Sequence, residues 1–299
     1  MKKYLSLGAA VVVLLGLAGC GKSAGQETKK LEMPPSSAPT TEAATQPPTQ
    51  QEAELAETVI LDRDGIKITA TGLDPDSFWG AELKLLIENQ SGQDLTFQCR
   101  NASVNGFMVE AMLSAEVADG KQANETIAFL GEDLDASGIT QIGDMEFSLH
   151  IFTAEDMKTY LDTEPIALRT SIADSFTQIV DDSGQVVYEA GGIKIVVRGP
   201  VADATLLGPG IGVYIENNSS TPVTCQTRSV SVNGFMLDAI FSAEALPGML
   251  SVDTISFLES DLEDHEISVL ERAEVSFHLF NSDTWETLAD TDSIHIPFL

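Results

Sequence analysis

The sequence predicts an all-β protein built from two tandem β-sandwich domains, and three observations predict it. The stretch Ile87 to Glu116 occurs again as Ile215 to Glu244, displaced by 128 positions without a gap and identical at 17 of 30 pairs, so the chain holds a duplicated unit. Each unit spans about 115 to 125 residues, a usual size for a domain with its own core. Within each unit, apolar and polar residues alternate in short runs separated by turn residues, as expected of antiparallel strands with one face on a core.

Residues 1–20 read as a lipoprotein signal peptide: Lys2 and Lys3, then the apolar run Leu5 to Leu17, then Leu17-Ala18-Gly19-Cys20. The run is shorter than the roughly 20 apolar residues a membrane span needs. Its ending resembles the lipobox of bacterial lipoproteins, which implies that Cys20 is the first mature residue and carries lipid on its sulfur. Two acyl chains, at about 0.8 kcal/mol per buried CH₂, anchor a protein stably. The membrane is then a partner through this N-terminal lipid, and the expected location is the extracellular face of the bacterial cell membrane. Residues 21–57 carry Pro34-Pro35, Pro39 and Pro47-Pro48 among Ser, Thr, Gln and Glu. Such a composition cannot offset its ordering entropy by burial, so a disordered linker is expected. It would reach about 115 Å as polyproline II and about 35 Å as a coil.

Repeat 1 is assigned to 58–172 and repeat 2 to 173–299. In repeat 1, Ile66, Ile68 and Ala70 alternate with polar residues, as do Leu83, Leu85 and Ile87, and Phe147, Leu149 and Ile151. Repeat 2 does the same with Ile193 and Ile195, with Ile211, Val213 and Ile215, and with Val275, Phe277 and Leu279. Asp64-Gly65, Ser91-Gly92, Asn105-Gly106 and Gly191-Gly192 supply residues that accept positive φ in tight hairpins. Apolar parity flips between Cys99 and Ala102, and again between Cys225 and Val230, which predicts a bulge or a strand crossing between sheets. One helical turn is expected at Glu132–Asp135, closed by Gly138, and another at Ser260–Glu263, which has capping-box spacing. The connector, with Thr177–Val180 and Val186–Tyr188 around Asp182-Ser183-Gly184, reads as a hairpin. About seven strands per unit without long helices fit an immunoglobulin-like sandwich, although the Cys, Trp, Cys spacing of antibody domains is absent.

Both units carry Ile-Glu-Asn, then Gln-x-Arg-x-x-Ser-Val-Asn-Gly-Phe-Met, a Ser-Ala-Glu step, and a late Phe followed by Asp-Leu. Together with the lipobox and spacer, this pattern resembles a family of Gram-positive lipoproteins with tandem immunoglobulin-like domains. The resemblance implies fold and surface placement and assigns no activity.

Residues 58–299 contain 40 Asp plus Glu against 11 Lys plus Arg, so the folded part carries a net −29 of the chain's −30. That surface repels nucleic acid and anionic head groups and leaves cationic partners open. Cys99 and Cys225, one per unit, allow no disulfide within a unit and read as small buried hydrophobes. His150 and His278 occupy equivalent positions facing away from the core, with no His-Glu-x-x-His or other ligand spacing around them. Asp133, Asp135, Ser137 and Asp144, with Gly138, approximate a calcium loop. The last position is Asp instead of a bidentate Glu, and His265 and Glu266 break the pattern in repeat 2. Arg100 and Arg228 are retained in both units, either paired with carboxylates or facing a ligand. Gly-x-Ser-x-Gly, phosphate loops and dinucleotide fingerprints are all missing, so no catalytic residue and no cofactor is expected. The expectation is a non-enzymatic, lipid-anchored surface protein that binds or adheres to an unknown protein or surface polymer. A structural envelope protein and a calcium-dependent module are the alternatives.

Overall fold

The computed structural model describes residues 53–205 and 208–298. The signal peptide, Cys20 and nearly all of the predicted linker lie outside the described residues. Repeat 1 comprises β1 (Thr58–Arg63), β2 (Ile66–Ser77), β3 (Gly80–Asn89), β4 (Leu95–Val104), β5 (Phe107–Met108), β6 (Ala111–Met112), β7 (Ser114–Val117), β8 (Lys121–Leu130), α1 (Gly131–Ala136), β9 (Asp144–Thr153), β10 (Thr159–Asp162) and β11 (Ile166–Arg169). Repeat 2 comprises β12 (Gln185–Ala190), β13 (Ile193–Thr205), β14 (Gly208–Asn217), β15 (Val223–Val232), β16 (Phe235–Met236), β17 (Ala239–Ile240), β18 (Ser242–Ala245), β19 (Leu250–Phe257), α2 (Glu259–Asp264), β20 (Arg272–Asn281), β21 (Thr287–Asp290) and β22 (Ile294–Pro297).

The chain is all-β and each repeat is an immunoglobulin-like sandwich. In repeat 1 one sheet runs β1-β2-β3-β8-β6; the other centres on β9 and β4, with β10 and β11 along β9, and β5 and β7 along β4. Repeat 2 copies this as β12-β13-β14-β19-β17 against β15 and β20, flanked by β16, β18, β21 and β22. Every inward residue expected from the alternation is buried, from Ile66 and Ile68 through Phe147 and Leu149 to Phe277 and Leu279. A period of two puts these residues on one face, and two such faces close over each core.

The asparagine of each Ile-Glu-Asn motif ends its strand inside the protein. Asn217 Nδ2 donates to Thr221 O (2.8 Å) and Ala245 O (2.7 Å), and its Oδ1 accepts from the Ser219 N–H (3.0 Å) and hydroxyl (2.6 Å). Asn89 makes the same four bonds to Gln93, Val117 and Ser91. A fully buried amide with every bond made pins the crossing from one sheet to the other. Asn105 and Asn233 also do more than turn a hairpin. Asn105 has φ 51°, and its amide clamps the start of β9, donating to Gln141 O and accepting from the N–H groups of Gly143 and Asp144. Asn233 does the same for β20 through Val269, Glu271 and Arg272.

Several expectations are corrected. Asp64-Gly65, Asn105-Gly106 and Gly191-Gly192 close hairpins, whereas Ser91-Gly92 carries the chain from β3 to β4 in the opposite sheet. The parity flip is a bulge and not a crossing: β4 slips against β9 between Arg100 and Ser103, with Asn101 at φ 54°, and β15 slips against β20 between Thr227 and Val230. Both helical turns form, but without the capping box, because α2 starts at Glu259 after Leu258 and places Ser260 inside the helix. Gly138 does close α1, at φ 65°, as the Gly138 N–H reaches Asp135 O and the Ile139 N–H reaches Leu134 O. The connector forms no hairpin between Thr177–Val180 and Val186–Tyr188: its start lies along repeat 1, Asp181 and Asp182 pair with Arg198 and Lys194 of repeat 2, and β12 pairs with β13 instead. Gln178 ties this stretch down by accepting from Asn105 Nδ2 (3.0 Å) and donating to Gly138 O (3.2 Å).

The repeats are joined through their sheets. β5 and β19 pair in parallel at Phe107 and Leu250, and the Leu250 N–H donates to Gly106 O at 2.9 Å, so eleven strands form one continuous sheet. Val196 and Tyr214, on the face of β13 and β14 turned away from their own core, are buried in the core of repeat 1 with Leu250 and Val252 packed beside them. Truncating a buried aromatic costs about 3 to 5 kcal/mol. Calorimetry of the full chain should therefore show one unfolding transition, and Tyr214→Ala should split it in two, with repeat 1 melting first.

Candidate functional site: the cleft between the repeats

A cleft of about 670 Å³ opens where the two repeats meet. Repeat 1 contributes the bulge of β4 from Cys99 to Ala102, the chain after β5 at Val109 and Glu110, and Asp133 of α1. Repeat 2 contributes Thr224 and Gln226 on the outward face of β15, Glu244 of β18, Ser251 to Asp253 of β19, and Phe280 with Trp285. The volume lies in the range of small-ligand sites.

The charge in this cleft is unbalanced. Glu110, Asp133, Glu244 and Asp253 face it with Arg100 as their cationic counterpart. Among the described residues no salt bridge reaches any of these five side chains. Burial pushes the Asp133 carboxyl up to about 6, aided by the charges of Asp253, Glu132 and Glu110, against the opposing hydrogen bond from the Glu110 N–H (2.6 Å). Asp253 is raised as well, by burial first and by Glu132. Two carboxylates from different repeats thus share a partly desolvated site that, among the described residues, no salt bridge reaches.

The aromatic side chains give the cleft a flat wall. Phe280 is buried, and the indole of Trp285 stacks on it with centroids 5.3 Å apart and planes 13° apart. Trp285 remains 75% exposed, leaving its second face free. It sits at φ 63°, a conformation that costs a non-glycine residue about 1 to 2 kcal/mol. Met157, its counterpart in repeat 1, shares that geometry at φ 57°, and Phe152 matches Phe280. The strained turn therefore belongs to the scaffold, and the indole belongs to repeat 2 alone.

His150 and His278 are half-buried cross-strand neighbours, as expected, but each has a partner the sequence reading missed. His150 Nδ1 lies 2.5 Å from Asp162 Oδ1, and His278 Nδ1 lies 2.6 Å from Asp290 Oδ1. The interval of twelve residues in both copies was the available signal. Neither histidine lines the cleft. Cys225 is fully buried, whereas Cys99 is only half-buried and borders the cleft, a departure from the expected buried hydrophobe. Burial pushes the Cys99 thiol up to about 12 and raises Cys225 too, so neither is a ready thiolate.

The calcium pattern is not assembled. Asp133 turns into the cleft and accepts from Glu110, Asp135 and Asp144 are exposed, and Ser137 is buried with no partner for its hydroxyl among the described residues. Among the described residues no group of three or more His, Cys, Asp or Glu is placed to hold a metal. Arg100 borders the cleft and Arg228 does not; among the described residues neither makes the carboxylate pair expected of it. Trp285, Asp253 and Glu110 were also missed, because nothing in their local sequence brings β19, β20 and the chain after β5 together.

No protein-family model matches the chain, and no curated protein matches it. Among solved structures it is similar to the YadV chaperone, at 10% identity over 71% of this chain and 92% of that one, with a TM-score of 0.24. It is also similar to the Pseudomonas aeruginosa CupB2 chaperone, at 16% identity over 72% and 92%, with a TM-score of 0.19. Overlaps this loose carry no argument about partner or activity.

The raised Asp133 sets a sign for stability against pH. Between its ordinary 3.8 and about 6, the folded chain holds more protons at this site than the unfolded chain. Stability contributed here therefore falls as pH rises through that window and is level above it. Asp133→Asn keeps the acceptor for the Glu110 N–H and removes the charge. Thermal melts at pH 7 should show the variant more stable by on the order of 1 kcal/mol, with that advantage gone near pH 4.

Proposed function

We propose that the chain is a non-enzymatic, lipid-anchored surface protein whose fused repeats present one composite cleft to a cationic ligand. The cleft itself carries this reading: it needs both repeats, and it combines carboxylates that no salt bridge reaches among the described residues with an open indole face. An ammonium group satisfies both features, because it neutralises the acids and is attracted to the π face of Trp285. The net −29 of residues 58–299 supports the same choice, since a strongly negative surface raises the local concentration of cations and repels anionic polymers. The signal peptide and the lipobox resemblance support anchoring at the extracellular face. The thiol of Cys99 beside the cleft is pushed up to about 12 and the His–Asp pairs lie elsewhere, so binding accounts for the site better than catalysis does.

Anchoring is tested at Cys20. Cys20→Ala in the cell should move the protein from the membrane fraction to the medium; retention at the membrane would refute the lipid tether. The cleft is tested with choline, in a Trp79→Phe background that leaves Trp285 as the fluorophore. Choline should shift the emission saturably, while sodium chloride at equal ionic strength and methyl glucoside should not. Trp285→Met, the residue that repeat 1 carries at this turn, should weaken choline binding about tenfold when followed by calorimetry, equivalent to about 1.4 kcal/mol. A response equalled by sodium chloride, or unchanged affinity in Trp285→Met, would rule the cleft out.

A further inference from the structure

The same six-residue hairpin meets two different fates in this chain. Ser103 to Met108 and Ser231 to Met236 are identical in sequence, pair in the same register, and are clamped by the same asparagine bonds. Yet Phe107 is 1% exposed and Phe235 is 47% exposed, with Met236 at 66% beside it. Phe235 lies at the edge of its own repeat, with the His265 ring 5.0 Å away, whereas Phe107 is covered by a strand edge. In repeat 1 the edge of β19 lies along β5, with the Leu250 N–H on Gly106 O and Leu250 and Val252 packed against the core of repeat 1. In repeat 2 no described residue makes the corresponding bond to Gly234 O.

We propose that the β16 edge, formed by Gly234, Phe235 and Met236, is a docking site for an apolar β-strand edge of a partner protein. The first repeat shows what this hairpin accepts: a parallel strand with a free N–H for the glycine carbonyl and apolar side chains at alternate positions, as Leu250 and Val252 supply. Strand addition of this kind takes affinity from main-chain bonds and specificity from the alternate side chains. A second copy of the chain does not supply that edge. The counterpart of β19 in repeat 1 is β8, where Gln122 and Asn124 stand in place of Leu250 and Val252, so its edge is polar at both contact positions. The counterpart of Val196 is likewise polar, Thr69. Repeat 2 thus offers a receptor whose matching edge is absent from repeat 1, which points outside the chain. The site is separate from the cleft and does not depend on the ligand proposed there.

The probe is a fluorescent peptide of the β19 sequence, Leu250–Phe257, added to the full chain and followed by anisotropy. Saturable binding is expected, with at least about tenfold loss in Phe235→Asp and none in Trp285→Met. Phe235 is half exposed, so Phe235→Asp should keep the wild-type melting temperature, which is measured alongside. Equal binding of a scrambled peptide, or unchanged binding to Phe235→Asp, would overturn the site. Sedimentation of the wild-type chain should show a monomer. Self-association abolished by Phe235→Asp would overturn the assignment to an outside partner and make a second copy the occupant.

Discussion

The parallel pairing of Leu250 with Phe107 is the contact on which the rest of the molecule depends. It is one ladder step long, but it sets the edge of repeat 2 along the hairpin of repeat 1, and Val196 and Tyr214 then complete the first core. Buried apolar area at that joint contributes far more than the bonds themselves. The consequence is a chain whose two sandwiches share a sheet and cannot swing independently without opening a core. Two linked copies with identical sites would act through avidity. Here they act as the two walls of one site.

Fusion also changes the meaning of the acidity. Carboxylates scattered over a surface are solvated and interact weakly across a Debye length. Asp133 and Asp253 are brought together from different repeats and partly withdrawn from water, where the same charges repel more strongly and favour protonation or a cation. The joint therefore concentrates at one place a property the composition spreads over the whole folded part.

Much of the architecture was legible in the residues. Period-two alternation named the inward residues of β2, β3, β9, β13, β14 and β20, and the repeat located the bulged strand, the Asn-Gly hairpin and both helical turns. What failed, failed for physical reasons. Ser91-Gly92 has hairpin chemistry, but the buried Asn89 amide turns the chain into the other sheet. Ser260 has capping spacing, but the helix begins one residue earlier. The residues reading Asp133-Leu-Asp-Ala-Ser-Gly138 have oxygen ligands at suitable intervals, but one turn of helix disperses them, and Asp133 is taken by the Glu110 N–H.

By itself the sequence determined the class of fold, the number of repeats, the core face of the long alternating strands, and the sign of the surface charge. Those properties follow from local periodicity, composition and internal identity, which need no knowledge of distant neighbours. Only the tertiary structure decided that the repeats fuse, that Trp285 and Asp253 meet Asp133 across a cleft, and that identical hairpins end one buried and one half exposed. Each of those depends on contacts between elements more than a hundred residues apart, and on an edge that is apolar in β19 and polar in β8. A strand's pattern states which face it buries and is silent about what lies along its edge.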